Sequence, residues 1–358
     1  VALFTRSYGA ERESVLAELV ATLVMGRDHE ASEDWSEAAQ HLRPVVRSTR
    51  LHRHLDLMAQ AEKRTNNVKT AGLEIAKGLS LELAYDTPRA TASVPPELLA
   101  VWNVDFKTAM HTAIDNLRGL DELSFSRSRS GFLVGHVQDG YEASRMATPD
   151  LFHRLALTGD PVVLPAARNA ILVAGSHEPE ALRGMAEAGI DLLEEARWIS
   201  FSPYVHDGES WNRFLLPAEH PATAVFRKLE LLELRHDYDA QRPALGKLFG
   251  ENMFIPQLLV GERDGTVRSF ATWGEGVSAL LPKADYIVFS LLDPEDPEAY
   301  GEAFDVSFSD VREVVGHRLT RLAGVEPHRF MVDSFPNANE LDRLRERSVD
   351  LVSGTVPL

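Results

Sequence analysis

One pattern constrains this sequence more than any other: two short apolar runs joined by a turn, followed by a helical segment, and it occurs twice. Residues 161–175 hold the runs Val162-Val163-Leu164 and Ile171-Leu172-Val173-Ala174, and a helix is expected over 178–196. Residues 254–260 and 266–273 flank the turn Arg263-Asp264-Gly265, and 274–281 reads as a short helix before a strand at 286–292. Runs this short cannot build a helical bundle. They pair as antiparallel strands, and each following helix must bury its apolar stripe on a sheet face. The expectation is an α+β fold with mixed or antiparallel sheets made of β-hairpin-plus-helix units. The two units share their order of elements but little residue identity.

The remaining segments follow the same periods. Val15, Leu16, Leu19, Val20, Leu23 and Val24 give 11–25 the spacing of an amphipathic helix, and Phe106, Met110, Ala113, Ile114 and Leu117 do the same for 106–120, with Gly119 as its stop. Pro44-Val45-Val46 reads as a buried strand end that runs into Arg47-Ser48-Thr49-Arg50, and the segment from 50 to 68 is basic and helix-like. In 79–86, Leu79, Leu81, Leu83 and Tyr85 alternate with Ser80, Glu82 and Ala84, which predicts a half-buried strand. Strands are expected at 123–126 and 131–138, and Thr148-Pro149-Asp150 reads as a helix start with Thr148 as cap. Residues 202–221 carry three prolines, Gly208 and no period, so they are read as a boundary loop between two packed domains, 1–201 and 222–358. Helices are expected at 222–236, 308–323 and 339–347 and a strand at 330–332. The acidic stretch 293–310 reads as a solvated loop and helix cap.

Charge narrows the partners. With 37 Lys and Arg against 54 Asp and Glu, the formal charge of −17 repels nucleic acid and anionic lipid. No cysteine is present, which removes disulfides, thiolate metal sites and a cysteine nucleophile. Arg6, Glu11, Arg12 and Glu13 interrupt any secretory core near the start, and no apolar run reaches the roughly 18–20 residues of a membrane span, so a cytoplasmic protein without membrane contact is expected.

Phosphate-loop, dinucleotide-loop, nucleophile-elbow and His-Glu-x-x-His motifs are all absent, and no cofactor is expected. His52 and His54 stand two apart in a segment, 41–70, with seven basic residues against two acidic ones, a local balance of +5 that disfavours a dication. Glu233, His236, Asp237 and Asp239 fit a helix end that favours a protonated histidine better than a metal site.

Two stretches are candidate sites. Arg47, Ser48 and Arg50 at a strand end can present guanidinium forks and a hydroxyl to an anion, the competing reading being pairing with some of the 54 carboxylates. Asp139, Tyr141, Ser144 and Arg145 follow a strand and open a turn, a position that commonly carries function and is equally a routine connection. Together they predict a non-catalytic binding or regulatory protein for a small anionic ligand or an acidic protein segment. An enzyme acting on a phosphorylated or carboxylated molecule, with Asp139 or His136 as base and Arg47 and Arg145 stabilising charge, is the alternative. A third is a subunit of an assembly, with Trp198, Phe201, Tyr204, Trp211 and Phe214 forming an interface unless they belong to the core.

Several short motifs resemble the YtpQ-type proteins of bacilli, a family without an assigned activity. Arg43-Pro44-Val45-Val46-Arg47-Ser48-Thr49 is similar to that family's proline, two apolar residues, Arg-Ser segment, and Asn116-Leu117-Arg118 to its Asn-Leu-Arg helix end. Asp139-Gly140-Tyr141-Glu142-Ala143-Ser144-Arg145-Met146 resembles its Asp-Gly-Tyr-Asp-Ala-Ser-Arg-Ile pattern, and Leu164-Pro165 with Ile171-Leu172-Val173-Ala174 its following hairpin. The resemblance covers about residues 9–196. It implies a bacterial, cytosolic α+β protein and transfers no catalytic residue.

Overall fold

The computed structural model describes residues 31–64, 69–86, 91–120, 122–137, 139–193, 198–293, 295–296, 299–351 and 355–358. The helix expected at 11–25 lies outside them. The fold is α+β, with its strands in several mixed and antiparallel sheets.

The first sheet follows the short helix α1 (Trp35–His41) and runs through β1 (Leu42–Ser48), the helix α2 (Thr49–Ala61), β2 (Gly72–Ala76), β3 (Leu79–Asp86) and β4 (Thr91–Ser93). All its pairs are antiparallel, in the order β1-β3-β2, with β4 also on β3. Helices α3 (Pro96–Val101) and α4 (Phe106–Arg118) follow. Asp105 caps α4 by accepting from the Thr108 N–H, and Ala109, Met110, Ala113 and Leu117 form its buried stripe. Asn116 donates to the carbonyls of Ala39 and Leu42, tying α4 to the α1–β1 junction. The predicted half-burial of β3 is corrected: residues 79 to 85 are all buried. Its polar phase is covered as well, because Ala84 packs with Val45, Leu117 and Tyr141 on the side away from Leu79 and Leu83.

The second sheet holds β5 (Ser124–Arg127), β6 (Leu133–His136), β7 (Pro161–Ala167), β8 (Ala170–Gly175), β9 (Tyr204–His206) and β10 (Trp211–Arg213), antiparallel in the order β10-β9-β7-β8-β6-β5. Between β6 and β7 lie a 3-10 turn at Ala143–Ala147 and the one-turn helix α5 (Asp150–His153), where Thr148 donates to the Arg145 carbonyl instead of capping. Helix α6 (Pro179–Leu193) covers the β7–β8 hairpin, as the sequence pattern requires. The stretch read as a boundary loop instead contains the β9–β10 hairpin, paired to β7. Its anchor is Trp211, which packs edge-on against Phe152 at 5.8 Å and donates to the Met146 carbonyl. Phe201, Tyr204 and Trp211 are buried, and Trp198 and Phe214 pack on the core, so these aromatics serve the fold.

Helix α7 (Thr223–Phe249) runs 27 residues, well past the expected end at 236, because Tyr238, Gln241, Ala244 and Leu245 continue its buried side. Leu229 and Leu232 share a core with Leu164, Leu182 and Val260, so α7 packs against elements on both sides of it in sequence. Beyond it are β11 (Met253–Phe254), β12 (Leu259–Arg263), β13 (Thr266–Gly274), β14 (Ser278–Pro282), β15 (Tyr286–Leu292) and β16 (Tyr300–Ser307). Helix α8 (Phe308–Val315), β17 (Thr320–Arg321), β18 (Arg329–Val332), α9 (Ala338–Arg345) and β19 (Val356–Pro357) complete the chain. They form sheets of order β11-β14-β18-β17 and β16-β15-β13-β12-β19, with the pairs β11–β14 and β13–β15 parallel. Three expectations fail here. The helix read at 308–323 ends at Val315, and Thr320–Arg321 is the strand β17. The helix read at 274–281 is the strand β14, whose apolar run Ala279-Leu280-Leu281 is buried on both faces and therefore shows no strand period. The acidic stretch contains β16, which brings Asp305 inside to accept from the Leu351 N–H, while the cap is supplied by Ser307. Among the described residues no helix is long and apolar enough to cross a membrane.

Candidate functional site

Register assembles the site. Arg47 stands opposite Ser80, which stands opposite Glu74, and Val45 stands opposite Glu82, which stands opposite Gly72. Residues paired across strands share a face, so Arg47, Ser80, Glu82 and Glu74 project from the outer side of the first sheet. Helix α2 leaves β1 directly and lies over this side. A cleft of about 290 Å³ remains between them, with Thr49, His52, Arg53 and Asp56 on the helix, Glu74, Ser80 and Glu82 on the sheet, and Thr70 in the connection just before β2.

At the cleft floor, Glu82 is only 3% exposed and is the centre of a polar chain. Its Oε1 lies 2.6 Å from His52 Nε2 and accepts from the Ser80 hydroxyl at 2.5 Å. Arg47 Nε stands 3.4 Å from Oε2, and that oxygen has no hydrogen-bond partner; neither does the buried hydroxyl of Thr70 in the same wall. Burial alone would raise the Glu82 carboxyl, but the His52 and Ser80 hydrogen bonds and the charges of His52 and Arg47 outweigh it and hold it below the usual carboxylate range. Glu82 is therefore a buried anion at neutral pH. Burial pulls the Arg47 guanidinium down, Glu82 opposing and Arg168 adding to the effect.

Gly72 sets the depth of this floor, because a Cβ there would stand 2.7 Å from Glu82 Cγ and 3.0 Å from the Leu81 carbonyl oxygen. Gly72→Ala is expected to cost about 1–3 kcal/mol by overpacking and to displace Glu82 from His52. Urea unfolding reads the first effect. A change in the His52 imidazole NMR shifts reads the second, and unchanged shifts would show that the close approach is not needed.

The residues proposed from sequence fall into three groups. Arg47 faces Glu82 on one side and, on the other, approaches Tyr141, which is 3% exposed and lies under the Arg168 guanidinium at 5.1 Å. Arg168 also donates to the Gly140 carbonyl and the Thr91 hydroxyl. Ser48 is buried at the start of α2 without making a side-chain cap, and Arg50 points away from the cleft to Glu233 and Asp237. Asp139 Oδ1 accepts from the Tyr141 N–H at 2.8 Å and from Arg145 Nη1 at 2.9 Å, and Arg145 Nη2 stands 2.7 Å from Oδ2 as an ion pair. Ser144 accepts from the Val46 N–H, so the whole turn is fastened to β1. His136 is exposed on β6, hydrogen-bonded to Ser126, and does not line the cleft. His52 and His54 do not act together: His52 meets Glu82, whereas His54 is half-buried, its Nδ1 has no hydrogen-bond partner, and burial holds its pKa down.

Sequence reasoning missed Glu82, Ser80, Thr70 and Asp56. Ser80 and Glu82 sit in the polar phase of an alternating strand, which reads as solvent-facing, and only the return of α2 over that side buries them. Comparison with protein-family models, curated proteins and solved structures found no match, and the resemblance to the YtpQ-type proteins rests on the sequence motifs given above.

Proposed function

We propose that the protein binds, without transforming it, a small molecule that places an ammonium or guanidinium group in the α2 cleft. The observation that carries this reading is Glu82: an ionised, buried carboxylate on the floor of a cleft, with one oxygen that makes no hydrogen bond and has only the longer ion pair to Arg47 Nε at 3.4 Å. With Glu82 set against Arg47, the rest of the lining has Asp56 and Glu74 against Arg53, which leaves negative charge to favour a cation. The Thr70 hydroxyl offers a further acceptor. An anion, expected from the basic run 43–53, finds its guanidinium partners already paired: Arg47 with Glu82, Arg50 with Glu233 and Asp237, Arg145 with Asp139. Binding is favoured over catalysis because the Ser80 hydroxyl donates to Glu82 and not to an imidazole, which leaves no activated nucleophile beside His52.

Calorimetric titration with methylguanidinium, ethylammonium, inorganic phosphate and acetate tests the proposal. One or both cations are expected to bind, and Glu82→Gln is expected to weaken them at least about tenfold, the equivalent of losing a charge-assisted hydrogen bond. Phosphate binding that Arg53→Ala abolishes would replace this reading with the anionic one. Absence of any cation binding at millimolar concentration would sink it.

A further inference from the structure

A second buried charge cluster lies on the opposite flank of α2. Glu233 and Asp237 are one turn apart on the same side of α7, 2% and 9% exposed, and a single guanidinium, that of Arg50, reaches both. Arg50 Nη1 stands 3.4 Å from Glu233 Oε1 and is hydrogen-bonded to Asp237 Oδ2. The Phe201 N–H also donates to Glu233. We propose that Glu233 and Asp237 hold one proton between them when α2 is docked, and that this trio is a proton-linked latch between α2 and α7.

Among the described residues, the surroundings offer no second full counter-charge. From β9, Tyr204 contributes a neutral phenol that donates to the Lys77 carbonyl. From β10, Arg213 is engaged by Ser202 and lies 3.7 Å from Glu230, at the rim. Glu230 adds negative charge from α7 itself, and Tyr238 beside Asp237 is covered by the Arg329 guanidinium of β18 at 4.9 Å. Two ionised carboxylates under one arginine would leave a net buried negative charge, and two carboxyls in such a place take up a proton instead. The pKa directions agree. Burial raises Glu233 despite Arg50, the Phe201 N–H and Arg213, and burial together with Glu233 pushes Asp237 up to about 7 against the pull of Arg50.

The sign of the pH dependence follows. A carboxyl whose pKa is higher in the docked state than in the open one stabilises docking below the open-state value and loses that contribution as pH rises through the docked value. With about 7 docked and the ordinary 3.8 open, the open fraction of α2 rises about tenfold between pH 6 and pH 8. His52 is two residues beyond Arg50 on the same helix, so opening also removes one wall of the cleft; this consequence rests on the binding reading above.

Hydrogen–deuterium exchange of the unliganded full chain at pH 6 and pH 8, corrected for intrinsic amide rates, tests the latch without any ligand, so it succeeds or fails independently of cation binding. The expected result is about tenfold greater opening of the 49–61 amides at pH 8. Asp237→Asn, which fixes that side chain neutral, and Glu233→Gln are each expected to leave α2 equally protected at both pH values. Equal α2 protection of the unmodified protein at the two pH values would overturn the proposal, as would persistence of the tenfold change in both folded variants.

Discussion

Replacing Arg329 by methionine is expected to lower folding stability by about 3–5 kcal/mol, read as a fall in the urea midpoint at unchanged slope. Arg329 is 0% exposed, and its guanidinium donates to Gln241 Oε1 and to the carbonyls of Pro256, Leu280 and Tyr238. These acceptors come from α7, the segment before β12, and β14, while Arg329 belongs to β18. One side chain thus holds four parts of the C-terminal half together. Methionine keeps most of the volume but removes this donor from four buried acceptors, and each that finds no other donor costs about 1–3 kcal/mol. Part of that is offset, because the cation itself is uncomfortable there: burial pulls its pKa down to about 10, Tyr238 opposing. Arg329→Lys is expected to fall between, since an ammonium keeps the charge but cannot span four acceptors. A loss below about 1 kcal/mol for the methionine variant would mean that water or side-chain rearrangement satisfies the acceptors.

What was legible in the sequence was whatever depends on neighbours in the chain. The β7–β8 hairpin and its covering helix follow from local periods, as does α4 between Asp105 and Gly119. The turn at 139–145 was legible as a turn, because Asp139 holds the Tyr141 N–H two residues on. Arg145 turning back to the same carboxylate could not be read from spacing. Burial on both faces hides period, which is why β14 reads as a helix. The candidate site depends on contacts far apart in sequence. Glu82 becomes buried through His52, thirty residues earlier, and α7 persists beyond 236 because its later turns meet β18, some ninety residues on. The competing reading of Arg47 and Arg50, that carboxylates hold them, was open from composition alone. The identity of those carboxylates was not.

Arg50→Met is expected to cost about 3 kcal/mol or more at pH 8 and clearly less at pH 5.5, measured by urea unfolding at both. Removing the guanidinium leaves Glu233 and Asp237 buried without their counter-charge, the situation in which breaking a buried pair is most damaging. The lower end of the usual range of about 3–5 kcal/mol applies because 32% of the Arg50 side chain still meets solvent. Acid relieves the loss. Both carboxyls have raised pKa values in the folded protein, and without Arg50 they rise further, so folding takes up protons and the variant gains stability as pH falls towards 5.5. Adding Asp237→Asn to Arg50→Met is expected to restore about 0.5–3 kcal/mol at pH 8, the coupling typical of side chains in direct contact. Arg53→Met provides the control, since Arg53 is exposed on the same helix and its loss is expected to stay within about 0.5 kcal/mol. If Arg50 served a bound anion instead of the fold, Arg50→Met and Arg53→Met would unfold alike and the pH dependence would vanish. A deficit confined to Arg50 and relieved by acid identifies it as the counter-charge that makes two buried carboxyls tolerable at the α2–α7 seam.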